Sequence, residues 1–287
     1  MTIGNSPSVY FWRPATWLRV SGPDALVFLQ GQHTNDLNRL KTSPAVYGLW
    51  LNQKGRVLAD SFVVRGRSEE EFWVGSYFST TAVIRERLES HIIADEVALE
   101  DESAGWHGAT IVGDTLIEQA RSAGDGLLFP GRRGLNGHME WLTRGPRDFP
   151  GVRTFSDNDM ERFRIRAAVP AIPADIGAGE LPNEGGLENE AISYTKGCYL
   201  GQEVMARLKS MGQVRRRLLR VSGPGAPPAR LAKLFQGVRP VGELRSTVSD
   251  GDGFIGLALL TLLHLSRDLP LSLAPDTPPA IKVLDPS

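Results

Sequence analysis

The stretch TKGCYLGQEVMARLKSMGQVRRR, residues 195–217, holds the only cysteine of a 287-residue chain. Cys198 has Lys196 two residues before it and glycines at 197 and 201. Gly197 and Gly201 open backbone conformations closed to other residues. From Gln202 onward the spacing predicts a helix, with Val204, Leu208 and Met211 on one face and Gly212 able to end it. Cys198 is therefore expected just ahead of a helix start and close to a lysine. Both features lower a thiol's pKa and favour the reactive thiolate. The same residues also suit a small hydrophobe in a tight turn. Glu203 can pair with Arg207 at i, i+4.

Working outward, the composition is that of a globular chain, 41% hydrophobic and 23% charged, long enough for two or three domains. A net charge of −1 argues against a broad electrostatic footprint for nucleic acid or membrane. A single thiol cannot close an internal disulfide, which suits a reducing, cytoplasmic setting. Nor can it hold an iron–sulfur cluster, which takes about four thiolates. His33, His91, His107, His138 and His264 show no metal-ligand spacing, so no metal bound by this chain alone is expected. The N-terminal MTIGNSPSVYFWRPATW lacks the basic-then-apolar pattern of a signal peptide. FIGLALLTLLHL, residues 254–265, is too short to span a bilayer and reads as a buried strand or short core helix. No nucleophile elbow, phosphate loop or dinucleotide fingerprint is present.

Along the chain, WLRVSGPDALVFLQGQHTNDL reads as a strand, a helix start capped by Ser21 with Pro23 in its first turn, and a turn. GRVLADSFVVRG, EFWVGSY, HGATIVG, GLLFP and HMEWLT read as strands. STTAVIRERLESHI, DTLIEQARSAG and DMERFRIRAAVP read as helices, the first with Ile84, Leu88 and His91 on one side. Strands interleaved with two helices predict a split β-α-β, ferredoxin-like unit over 48–142. After the hinge SGPGAPPARL, short strands predict a small β domain. RVSGP occurs at 19–23 and at 220–224, in both places as a strand ending in a turn.

One carboxylate stands out. Strand alternation puts Leu58, Asp60, Phe62 and Val64 on one face. An acid among those residues is costly to bury unless paired or used. The run Arg215, Arg216 and Arg217, with Arg220 near, could hold an anionic tail or simply face water.

KGCYLGQE is similar to the signature K-G-C-Y-x-G-Q-E of the YgfZ family, folate-binding relatives of the glycine-cleavage T-protein. VSGPDALVFLQGQHTNDL, YGLWLNQKGRVLADSFV and the long block from ERFRIRAAVP through GCYLGQEVMARL resemble the family too, over nearly the full chain. The resemblance implies an α+β fold: a three-domain ring of the T-protein type, with two ferredoxin-like domains and a C-terminal β-barrel around a folate site. The expected domains are 1–47 plus 143–212, carrying the Cys motif, then 48–142, then 213–287. It implies a folate-binding accessory factor, binding tetrahydrofolate or a derivative, for assembly or upkeep of iron–sulfur proteins, including tRNA-modifying enzymes. Its partners would be iron–sulfur client or assembly proteins, with the chain acting as a monomer and no direct nucleic-acid binding. The alternative is a folate-dependent aminomethyl or one-carbon transferase. Carried over residue by residue, Cys198, Lys196 and Asp60 would be the reactive set. Asp60, Asn35, Gln32, Tyr199, Gln202 and Glu203 would meet the folate. In the T-protein an acid pair ends G-G-I-x-D-D; here GRVLAD leaves Ala59 and Asp60. Where the T-protein has its pterin-holding glutamate, RRGLNGHMEW has His138.

Overall fold

The computed structural model describes residues 6–212, 214–275 and 277–284. Among the described residues, fifteen strands and five α-helices follow one another. The strands are β1 (Ser8–Trp12), β2 (Thr16–Ser21), β3 (Ala45–Leu51), β4 (Val57–Arg65), β5 (Glu71–Ser76), β6 (Ala98–Asp101), β7 (His107–Val112), β8 (Leu127–Pro130), β9 (Met139–Thr143), β10 (Arg153–Thr154), β11 (Arg216–Pro224), β12 (Lys233–Gln236), β13 (Arg239–Asp250), β14 (Gly253–Thr261) and β15 (Lys282–Val283). The helices are α1 (Ala25–Gln32), α2 (Thr81–Glu89), α3 (Asp114–Ala123), α4 (Asp157–Arg166) and α5 (Gln202–Met211).

The described residues up to Gly131, with Asn136–Phe155 and Asn189–Ala206, gather into one compact unit. It holds two five-stranded sheets, ordered β3-β4-β5-β2-β6 and β10-β1-β7-β9-β8. In the first, Leu18, Val20, Trp50, Ala59, Val63 and Val74 pack under Phe28 and Leu29 of α1 and Ile84 and Leu88 of α2. In the second, Val9, Ala109, Ile111 and Trp141 pack under Leu116, Ile117 and Ala120 of α3. Each fully buried aliphatic or aromatic side chain contributes about 1.5–3 kcal/mol. Helix α3 ends where Gly124 takes the left-handed conformation, φ +64°, that glycine adopts without strain.

The pairing corrects the expected 48–142 unit. Its strands divide between the two sheets, because β2 inserts beside β5 over Thr16–Ser21 and β1 pairs β7 over Ser8–Trp12. Both strands precede residue 48, so sequence neighbours within 48–142 are not all sheet neighbours. Ser21 does not cap α1 either. It closes β2, and Asp24 stands at the N-cap with its carboxylate accepting from the Glu96 N–H at 2.9 Å. His91 lies past the end of α2, and Arg87 takes a place on that helix's buried side.

A second unit comprises Arg132–Leu135, Ser156–Glu188 and the described residues from Arg207 onward. Helix α4 opens with a capping box: the Asp159 N–H donates to Ser156 Oγ and the Ser156 N–H to Asp159 Oδ2. The C-terminal sheet is ordered β12-β13-β14-β11-β15. Single bridges from Phe235 in β12 to Ser272, and from Leu271 to Ile281 beside β15, link its two edges. FIGLALLTLLHL forms most of β14, followed by a turn of 3-10 helix. The second RVSGP runs to the end of β11 at Pro224, whereas the first leaves β2 at Ser21. No helix among the described residues is long and apolar enough to cross a membrane.

Candidate functional site

The cysteine motif is fastened to the end of α1. A helix leaves its last carbonyls without partners, and α1 carries no basic residue in its last turn. Lys196 supplies the missing donors from far along the chain. Its Nζ donates to the carbonyls of Gln30 at 2.5 Å, His33 at 2.5 Å and Asn35 at 3.2 Å. The Tyr199 ring lies 5.2 Å from the same ammonium. Burial pulls the Lys196 amine down to about 8, and the charge of Asp36 opposes that pull. Burial also works against ionising Asp36, yet hydrogen bonds from Asn38 and Gln30, with Lys196 nearby, hold its carboxyl below the usual range.

Residues 33–35 form the hub next to this clamp. Thr34 Oγ1 donates to the Ala191 carbonyl at 2.7 Å and accepts from the Leu49 N–H at 2.8 Å. Asn35 Nδ2 donates to the carbonyls of Tyr47 at 2.8 Å and Glu190 at 2.9 Å. His33 is fully buried, 5.1 Å edge-on from Trp50, and burial pushes its imidazole down to about 3. Both hydrogens of the Asn35 amide are thus committed to backbone carbonyls. Asn35 ties β3 to the loop that carries the motif.

From Tyr47 the hub reaches Asp60. The Tyr47 hydroxyl donates to Asp60 Oδ2 at 3.0 Å, and Ser76 and Ser79 donate to Oδ1 at 2.8 Å each. The Asp60 N–H in turn donates to Ser79 Oγ at 3.1 Å. Asp60 is 4% exposed, so these hydroxyls replace the water its carboxylate has lost. No basic side chain is among the partners just named.

A second buried acid lies in the same unit. Glu140 of β9 is fully buried and accepts from Trp12 Nε1 at 3.0 Å, Thr110 Oγ1 at 2.8 Å and the Tyr77 hydroxyl at 2.7 Å. His138 Nε2 is 3.8 Å from Glu140 Oε1. The tetrapeptide Ser76-Tyr77-Phe78-Ser79 therefore serves both acids: its serines hold Asp60 and its tyrosine holds Glu140. Rings of Tyr47, Phe62 and Tyr77 connect them, with centroids 5.3 and 5.4 Å apart. Glu140 was not singled out from sequence, although the signal that exposed Asp60 is present. Strand alternation sets Glu140 on one face with Leu142.

The motif glycines differ. Gly201, at φ +86°, lies so close to the β3–β4 turn that a Cβ would meet the Asn52 carbonyl at 3.0 Å and Gly55 Cα at 3.2 Å. A Cβ at Gly197 would meet nothing within 4 Å. Helix α5 starts at Gln202, four residues after Cys198, and Gln202 Oε1 accepts from the Tyr199 N–H at 3.3 Å. Met205, at 0% exposure, is the buried anchor of its first turns; the side chain of Met211 lies outside the described residues. Cys198 and Glu203 are exposed. Lys196 is not an exposed cation beside the thiol, as its spacing suggested, because its ammonium is buried on three carbonyls. Burial raises the Tyr199 phenol above its ordinary range. The Tyr199 hydroxyl and Gln32 Oε1 are buried without hydrogen-bond partners among the described residues.

The arginine run belongs to the second unit and is mostly paired. Arg216 Nε and Nη2 donate to Glu184 at 2.8 and 3.1 Å, and Arg217 Nη1 donates to Glu188 and to the Asn183 carbonyl at 2.9 Å each. Arg215 is exposed. A free cationic strip for an anionic tail is therefore not formed by these three.

Comparison with known proteins follows the same lines. Residues 14–116 match the family model for the GCVT N-terminal domain, and residues 215–283 the one for the CAF17 C-terminal beta-barrel domain. The chain is 31% identical over 274 residues to the mitochondrial iron-sulfur cluster assembly factor IBA57 of Homo sapiens, covering 85% of this chain and 75% of that protein. It is 28% identical over 291 residues to the tRNA-modifying protein YgfZ of Edwardsiella ictaluri, covering 90% and 83%. Among solved structures, the glycine cleavage system aminomethyltransferase T from Bartonella henselae superposes with a TM-score of 0.79 over 98% of this chain and 86% of that one. At 16% identity that likeness establishes a shared T-protein fold.

Proposed function

The chain belongs to the family of IBA57 and YgfZ, and from that premise we propose that it is a folate-binding accessory factor for the assembly or upkeep of iron–sulfur proteins, tRNA-modifying ones included. The observation that carries this reading is an exposed Cys198 on a loop pinned by a buried Lys196. A pinned loop with an accessible thiol suits exchange with a client protein. The single thiol fits a reducing compartment, the cytoplasm in this reading, and the chain acts as a monomer that meets client or assembly proteins through this loop.

The residues around Asp60 fit a reduced folate. Asp60 is an acceptor for an N–H-rich ring system, and Tyr47, Phe62 and Tyr77 provide aromatic surface; Gln32 Oε1, buried without a hydrogen-bond partner among the described residues, is an acceptor still to be used. Bound tetrahydrofolate would supply amine nitrogens able to carry a one-carbon unit. Asp60 would hold a proton or positive charge at such a nitrogen. The hydroxyls of Tyr47, Ser76 and Ser79 fix the carboxylate's orientation, and burial keeps water from competing. Tyr199, Gln202 and Glu203 belong to the proposed site through the motif they complete.

Calorimetric titration with tetrahydrofolate, beside Asp60→Asn, tests the folate part. Absence of binding by wild type removes folate from the reading; equal binding by the variant removes only Asp60. Cys198→Ser in cells lacking the protein tests the thiol: full restoration of iron–sulfur enzyme activity by the serine variant would overturn its role. Retention of a buried Asp60 favours a second reading, a tetrahydrofolate-dependent aminomethyl or one-carbon transferase, for which Asp60 supplies only half of the T-protein's acid pair, Ala59 standing at the other position. Product formation from tetrahydrofolate and an aminomethyl donor would favour that second reading.

A further inference from the structure

We infer a second small-molecule site in the first unit, independent of the folate reading: a cavity at the ends of β1, β7 and β9 that takes a planar aromatic ring bearing a carboxylate or phosphate. The cavity encloses about 360 Å³, within the range of small-ligand pockets. It exists because α3, ten residues and about 15 Å long, covers only part of its sheet face. Val9 and Phe11 share a face of β1, two residues apart. Val9 is fully buried in the core beneath α3, while Phe11 is left 42% exposed. Phe149 backs Phe11 at 5.9 Å between centroids. Gly108 and Ala109 keep the cavity's β7 wall low, and Trp12, whose indole N–H is fixed by Glu140, gives it a rigid aromatic side.

The polar edge of this cavity offers donors. Arg13 Nη1 donates to the carbonyls of Ala104 at 3.3 Å and Trp106 at 3.1 Å, and meets His107 Nδ1 at 3.4 Å. All three partners are neutral, and no carboxylate pairs with Arg13 among the described residues. The other guanidinium nitrogens remain for a ligand. His107 accepts at Nδ1, which assigns its proton to Nε2. Burial, and then the charge of Arg13, lower its pKa, so at neutral pH the ring is an uncharged donor. Arg147 is held over Trp141 at 4.9 Å and paired with Asp125. Asp148, exposed, is the one acid in the lining. An anion on an aromatic ring matches the unpaired Arg13 beside Phe11 and Trp12; an aromatic amine would rely on Asp148 alone.

Calorimetry on the full chain with phenyl phosphate, benzoate, benzylamine and inorganic phosphate tests this. The expected result is binding of one or both aromatic anions in the millimolar range or tighter, with benzylamine and inorganic phosphate weaker by about tenfold or more, a difference near 1.4 kcal/mol. Which aromatic anion binds more tightly separates carboxylate from phosphate. Arg13→Gln should weaken the aromatic anions by about tenfold, Arg13→Lys should restore part of the loss, and Phe11→Ala should weaken aromatic anions without affecting inorganic phosphate. Circular dichroism of each variant confirms folding. Equal binding of benzylamine, equal binding of inorganic phosphate, unchanged affinity in Arg13→Gln, or no binding of either aromatic anion would each overturn the site.

Discussion

The two units fasten their most buried polar groups with different main partners. In the first, Lys196 donates to three carbonyls, Asp60 accepts from three hydroxyls, and Glu140 accepts from an indole and two hydroxyls, with His138 3.8 Å away. In the second, charge meets charge. Arg164 bonds Asp175 and Glu161 at 2.7 and 2.6 Å, Arg245 bonds Glu180 at 2.9 Å, and Arg216 bonds Glu184 at 2.8 Å. Those pairs staple residues 175–188 to α4 and the C-terminal sheet. An ion pair cancels its own field, whereas the Lys196 ammonium is fastened by three neutral carbonyl dipoles.

The comparison breaks most visibly at Arg164. Asp175 is 0% exposed and Arg164 is 7% exposed at its side chain. Arg164→Ala strands a buried carboxylate and should cost about 3–5 kcal/mol in urea unfolding, whereas replacing both partners with apolar residues should cost far less. Equal losses in the single and double variants would remove the pairing argument. Lys196→Met should cost about 2 kcal/mol by the same measurement, because it leaves buried carbonyls at the end of α1 without a donor. The outcome that would count against the clamp is an unchanged midpoint.

His33 gives the pH arm. Its folded pKa, about 3, lies below the ordinary value of 6.5. The unfolded chain therefore binds the proton first on acidification. The stability this group contributes is present above pH 6.5 and is lost as pH falls toward 3. Between pH 7 and 5 the loss should be about 2 kcal/mol, at 1.4 kcal/mol per unit below the unfolded pKa. His33→Asn should flatten that slope, and a wild-type slope unchanged in the variant would place the titration elsewhere. The smallest effect belongs to Cys198→Ser, within about 0.5 kcal/mol because the side chain is exposed, alongside loss of function in cells. A large loss of stability would reassign Cys198 to packing.

What was legible in sequence follows the same physics. The apolar neighbours of Asp60 announced a buried acid, and its hydroxyl partners bear that out. Glu140 sits in a strand with the same alternation and was legible by the same rule. The role of Lys196 was not, because its partners are backbone carbonyls at residues 30, 33 and 35, which every residue type carries. Arg216 and Arg217 read as a solvated run or an anion strip, since their acids lie about thirty residues upstream in a loop whose course no local pattern encodes. The strand runs were largely visible, yet the exchange of β1 and β2 into sheets built from later residues was not: alternation marks a strand's faces, not its neighbours.

The Lys196 clamp also orders events during synthesis. Its three hydrogen bonds close over sequence separations of 166, 163 and 161 residues. Closing such long loops is slow relative to local structure and waits on the chain between. On a ribosome, residues 30–35 emerge early and their carbonyls stay hydrated until residue 196 arrives. The loop bearing Cys198 is thus among the last parts of the first unit to be fastened. A nascent chain truncated before this point has no thiol to present, and a complete one presents it on a loop anchored to the end of α1 and to residues 33–35.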